Sequence, residues 1–387
     1  MAHQKIIEFF KELKASPTVK ELKFILYKIR QSPLSLLGSG IIIFFALVAM
    51  LAPYLAPPNP EWDKTAYPGK SPFILPRAGF DPIPKPPSPR HPFGLTADSF
   101  DIYYGCVWGT ITAFRVGITV VAVTLIIGLT IGILAGYYGG IIDEILMRFT
   151  DIIIIFPGLI LALAFALAVP DKFSITLGQI LPLASAILII ITITKALSKG
   201  GFSWKWIIVE NLSIICVTIS ALIYFGGLSD ITILSVVMSK LDKVLTALIL
   251  VGWPGYARVI RGEVLRVRNE DYVEAARAAG CSDFRIIFKH IVPNAIYPIV
   301  VLASMDIGSI VLLAAALSFL RVGAEANFAD WGQLVEKSRM FLGTGESLIN
   351  YWYIWLIPGA FIFIFSLGWN LLGDAIRDIM DPTLRRR

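Results

Sequence analysis

Only three histidines occur, His3, His91 and His290, far apart in the chain, so no paired-histidine metal motif such as HExxH is present. The phosphate-cradling pattern GxxxxGK[ST] and the nucleophile-bearing GxSxG are also absent. The chain therefore reads as neither a nucleotide hydrolase nor a serine hydrolase. No catalytic residue and no metal ligand is expected. Cys106, Cys216 and Cys281 are odd in number and lie in unlike surroundings, which implies no disulfide framework. One acid, Asp306, stands near the middle of a long apolar run. A carboxylate inside a membrane costs several kcal/mol, roughly, so such a group marks a transport pathway or is held by a neighbouring helix or an aqueous cavity. A proton relay would want a second such group, and the sequence offers none.

The richest polar stretch is 258–294, RVIRGEVLRVRNEDYVEAARAAGCSDFRIIFKHIVPN. Glu274, Ala275 and Ala276 lie among strong helix formers, where small outward side chains let another surface come close. Gly280 suits a helix stop that needs positive φ, Asp283 opens a second short helix, and Pro293 ends the segment before the next apolar run. Helix, glycine, helix with small residues outward is a shape for docking into a partner's groove.

The elements that must position this segment are membrane spans. Of 387 residues, 56% are hydrophobic and 16% charged, against roughly 45–50% and 25% in soluble domains. Several charge-free runs are long enough for a ~30 Å hydrocarbon layer. The composition excludes a soluble enzyme, a disordered chain and a disulfide scaffold. Residues 1–33 read as a basic amphipathic surface helix, with a merely solvated basic tail as the alternative, and span one is 34–52, closed by Pro53. The outer loop 53–112 follows, carrying thirteen of the 23 prolines between 53 and 92, so that part is an extended cap rather than helix or central strand. Core spans fill 113–170: one at 113–137, with Gly117, Gly128, Gly132 and Gly136 for close packing, and one at 148–169, kinked at Pro157. Two more runs, 174–194 and 207–228, lie within 171–242. The core resumes over 243–375, with a span whose charge-free part is 244–257 and which begins earlier, with Lys240, Asp242 and Lys243 at the interface, then the polar loop 258–294 and spans at 295–320 and 352–373; a basic tail, 376–387, closes the chain. Lys and Arg concentrate in 1–30, 195–205, 258–289 and 377–387, which places both termini in the cytoplasm.

The polar loop resembles the EAA loop of permease subunits of ATP-binding cassette importers. Glu274, Ala275, Ala276, Gly280 and Pro293 fall at that pattern's places, with His290 where many importers have Ile. The ending His290 to Asn294 is similar to the dipeptide/oligopeptide/nickel branch, and to its second, C-type permease. HPFG (91–94), GYYGGIIDEILMRFTD (136–151), VGWPGYARVIRGEVL (251–265), LSFL (317–320), DWG (330–332) and NLLGDAIRDIMDP (370–382) agree. Departures are the missing Gly-Arg pair within 95–101, Ala314 where the family has Glu, Arg321 where it has Gly, and the insertion 171–242.

The resemblance implies an all-α polytopic membrane protein of the type I importer permease fold, with about eight spans: a six-helix core plus the inserted pair. It also implies a non-enzymatic subunit in the cell membrane that forms, with a second (B-type) permease, a pathway for peptides. Oligosaccharide or nickel is the alternative cargo. Two ATPase subunits docking on Glu274, Ala275, Ala276, Gly280, Asp283, His290 and Pro293 would hold the ATP and Mg, so this chain binds no cofactor. An extracytoplasmic solute-binding protein delivers cargo, lipid surrounds the spans, and no nucleic acid is involved. Two other readings remain: a proton-coupled secondary transporter using Asp306, and a membrane-embedded enzyme or scaffold.

Overall fold

The long apolar runs fold as helices, the only way one segment satisfies its own backbone hydrogen bonds in hydrocarbon. In the computed structural model the described residues are 30, 32–58, 72–176, 232–343 and 345–380. The expected amphipathic helix over 1–33 lies almost wholly outside them, as do most of the inserted runs and the basic tail. The chain divides into two compact units, Met1–Val169 with Lys240–Arg387, and Pro170–Ser239.

In the larger unit the order is α1 (Pro33–Leu55), α2 (Ile102–Tyr138), α3 (Gly140–Ile155), α4 (Gly158–Ala168), α5 (Lys240–Arg268), α6 (Asp271–Ala278), α7 (Asp283–Ile286), α8 (Val292–Ala295), α9 (Tyr297–Phe319), α10 (Trp331–Lys337), α11 (Gly345–Asn350) and α12 (Trp352–Met380). Five of these, α1, α2, α5, α9 and α12, are long and apolar enough to cross a membrane, and α3 with α4 makes a sixth candidate if the bent pair is one span. Eight spans would need the two runs within 177–231, which fall outside the described residues.

Several boundaries differ from expectation. Pro53 does not close span one; it sits inside α1, which runs on to Leu55, because a proline in a helix's last turn removes only one bond near an end that is fraying anyway. The second span is far longer than 113–137, starting at Ile102 behind Asp101, whose side chain caps the Tyr104 N–H. Pro157 breaks rather than kinks its span: α3 and α4 meet at 96°. Residues 258–268 belong to α5, not to the loop. The smaller unit departs from all-helical character, since β1 (Lys172–Thr176) pairs antiparallel with β2 (Thr232–Val237). The run expected to span from 174 thus begins in a strand.

The tightest packing is α2 against α5. A Cβ on Gly132 would stand 2.7 Å from the Ala257 carbonyl and from Ile260, and Gly128 and Gly136 meet Tyr256 and Val264 in the same row. Glycines four apart on α2 therefore let the backbones touch. At the end holding residues 72–101 and 320–351, the DWG stretch locks the bundle. Asp330 caps α10 through the Gly332 N–H, and Trp331 lies buried against Phe45, Phe361 and Phe365, with its Nε1 donating to the Cys106 carbonyl at 3.0 Å. The proline-rich cap reaches the same end, where His91 Nδ1 and Asp101 Oδ2 are 2.6 Å apart.

Candidate functional site

The segment linking α5 to α9 is a chain of short helical turns at the opposite end of the bundle. Val273 on α6, Ile286 on α7 and Ile291 are fully buried and fasten it to the core. Between α6 and α7, Gly280 adopts φ +76°, a conformation any Cβ would strain. Its N–H bonds the Arg277 carbonyl, and the Cys281 N–H bonds that of Ala276. After α7, residues Ile287–Ile291 form a wider π turn, closed by the Val292 N–H onto Ile287 O. Pro293 lies in the first turn of α8, where its missing N–H costs nothing. The Asn294 side-chain amide donates to the His290 carbonyl at 2.7 Å.

Of the residues singled out from sequence, Glu274, Ala275, Gly280, Asp283 and Pro293 are exposed and His290 is half-buried. Ala276 is a correction: it does not face outward but packs partly against the core. Asp283 is tied down, because the Tyr137 hydroxyl donates to its Oδ1 at 2.6 Å. Asp306 belongs elsewhere. It lies inside α9, half-buried, on the side facing Tyr256 of α5.

Sequence reasoning missed the joints that couple this segment to the spans. Arg268, in the last turn of α5, donates to the carbonyls of Gly136 and Tyr137 at 3.1 and 3.0 Å, satisfying orphan acceptors at the end of α2. Arg261 pairs with Asp143, and Arg258 Nη2 lies 2.6 Å from Asp151 Oδ1, so two ion pairs fasten α3 to α5. Phe284 and Phe288 were missed as well. They are 71% and 56% exposed, with ring centroids 4.5 Å apart, and form an apolar knob beside the alanine face. The signal was present: two phenylalanines four apart inside an otherwise basic stretch.

The family described as binding-protein-dependent transport system inner membrane component matches residues 128–386, from mid-α2 past the end of α12. The chain belongs to that family. A second description, the N-terminal TM domain of oligopeptide transport permease C, matches residues 23–73. The dipeptide transport system permease protein DppC of Alkalihalophilus pseudofirmus is 28% identical over 358 residues, covering 92% of this chain and 88% of that one. The probable D,D-dipeptide transport system permease protein DdpC of Escherichia coli is 29% identical over 360 residues, covering 92% and 90%. The glutathione transport system permease protein GsiD of Pectobacterium atrosepticum is 28% identical over 306 residues, covering 79% and 77%. A solved amino acid ABC transporter matches at 15% identity and a TM-score of 0.41, over 73% of this chain and 94% of that one, too loose a likeness to argue from. In this transport-system membrane component the knob and the alanine face project from the end of the bundle that carries the segment joining α5 to α9.

Proposed function

We propose that the chain is the C-type permease subunit of a peptide importer, and that the segment 271–295 is where an ATPase subunit pushes. The observation that carries this is the exposed knob of Phe284 and Phe288 on a glycine-hinged helix pair whose other side is fastened to α2. Closing an ATPase groove over the two rings would add about 1.5–3 kcal/mol each if both were fully covered. Because Val273, Ile286 and the Tyr137–Asp283 bond hold the segment to the bundle, a push on the knob moves α2, α5 and α9 with it. That is how a closing ATPase would favour one arrangement of the spans over the other.

In this reading both termini are cytoplasmic, a second permease completes the pathway, two ATPases hold the ATP and Mg, and a solute-binding protein supplies cargo from outside. The subunit itself performs no catalysis. Peptide cargo is supported by the names of the relatives, which refer to dipeptide, D,D-dipeptide and glutathione transport.

The test is co-expression with the partner genes, purification, and dipeptide uptake into proteoliposomes. The double substitution Phe284→Ala, Phe288→Ala should cut ATPase co-purification at least about tenfold, the loss expected when two aromatic anchors are truncated. Glu274→Lys and Gly280→Pro should abolish uptake while the chain still inserts. Wild-type uptake in all three would sink the reading.

A further inference from the structure

At the end of the bundle opposite the coupling segment lies a cavity of about 250 Å³ between the start of α5, the end of α9 and α10. Lys240, Arg321 and Lys337 line it, with Glu336 the one acid among its lining residues. Glu336 is already engaged, its Oε1 2.6 Å from Arg321 Nε. Lys337 Nζ donates to Asn327 Oδ1 at 2.9 Å and sits 4.0 Å over the Phe100 ring, so the partners that hold it are neutral. Burial lowers the affinity of the Lys337 amine for its proton below the ordinary value of 10.5, against the opposing pull of the Glu336 and Asp98 carboxylates. The Lys240 ammonium has no hydrogen-bond or ion-pair partner among the described residues; only its backbone N–H is held, by Glu325.

The backbone adds a second observation. Arg321 and Asn327, both lining residues, adopt φ of +65° and +62°. Asparagine takes left-handed backbone readily, but it costs Arg321 roughly 1 kcal/mol, and such strain persists where the surroundings hold it. The Arg321 side chain places a guanidinium at the cavity.

We infer that this cavity binds the carboxylate of a small organic acid, and specifically the C-terminal residue of an incoming peptide. The volume exceeds what one carboxylate needs and suits a terminal residue with part of its neighbour. An excess of cations over acids supplies the counter-charge, and charge-assisted bonds to Lys and Arg are the strong ones. The inference rests on the proposed orientation, which puts the cavity on the extracytoplasmic side, and on peptide cargo.

The experiment uses the complete transporter in lipid nanodiscs, without its solute-binding protein, and measures equilibrium binding of radiolabelled trialanine and of its C-terminal amide. The free acid should bind at least about tenfold tighter, the value of one charge-assisted bond. Arg321→Gly relaxes the backbone but breaks the pair with Glu336, so a merely structural Arg321 predicts a lowered melting temperature with the preference unchanged. The inference expects the preference lost whatever the melting temperature, and Lys240→Gln should lose it too. Equal binding of acid and amide, or a preference kept in Arg321→Gly, would overturn it. So would displacement of trialanine by inorganic phosphate as readily as by acetate, which makes the cavity a general anion site. Uptake assays with the binding protein restored separate the two levels. Peptides imported without any preference at the cavity defeat only this inference, whereas no peptide uptake by the wild type defeats the proposed function.

Discussion

Asp330 shows how one carboxyl can be both fastener and liability. It caps α10 beside the buried Trp331, and burial raises its proton affinity above the ordinary carboxylate value of 3.8, against the opposing pull of its bonds to Ser318, Gly332 and Gln333. The native state therefore keeps this proton at pH values where the unfolded chain has released it. Stability from this group is complete below 3.8 and drains away as pH rises through the elevated value. Asparagine caps as well as aspartate and never ionises. Asp330→Asn should therefore remove that slope: the melting-temperature difference between variant and wild type should grow in the variant's favour as pH rises from 4 toward 7. A difference independent of pH would refute the buried-carboxyl account.

Among the elements, the α2–α5 contact is the one a single side chain should break. No room exists for a Cβ on Gly132, let alone a longer side chain. Gly132→Leu forces the helices apart and should cost more than the roughly 1–3 kcal/mol typical of overpacking, because backbone atoms, not flexible side-chain ends, are in the way. The expected result is loss of folded protein on detergent extraction, with Gly262→Leu, where nothing lies within 4 Å, as the tolerated control. Arg268 and Tyr137 sit where these two helices end, so the same contact also ties the segment after α5 to α2.

For the whole molecule, the decisive geometry is a meeting of chain ends. The β1–β2 pairing sets Lys172 opposite Val237, and the Met238 N–H bonds the Asp171 carbonyl at 2.9 Å. The two ends of the smaller unit thus lie side by side. Replacing 172–237 by an Asn-Gly turn should close that gap without strain, because two residues in a type I′ turn join adjacent antiparallel strands. The shortened protein should still insert, assemble and import within about twofold of wild type. Failure to assemble would show that the unit Pro170–Ser239 is part of the working core. Such an insertion is tolerated because lengthening an excursion adds entropy only logarithmically.

Long apolar runs and four-spaced glycines could be read directly from the chain, because hydrocarbon permits only helices and close helix contact permits only small residues. The glycine turn between α6 and α7 was equally legible: a positive-φ turn leaves a mark at one residue, Gly280, and the structure has it there. Boundaries were less so. The apolar residues 102–112 at the start of α2 read as loop because they follow the proline-rich stretch, and the charged run 258–268 hid the true end of α5. Pro157 announced a disturbance, yet its 96° size depended on what α3 and α4 pack against. Partners distant in sequence were invisible. Tyr137 with Asp283, Arg261 with Asp143, Tyr256 near Asp306, and the cations around the outer cavity meet only after the helices pack, since polar pairing is set by three-dimensional neighbours and leaves no periodicity along the chain.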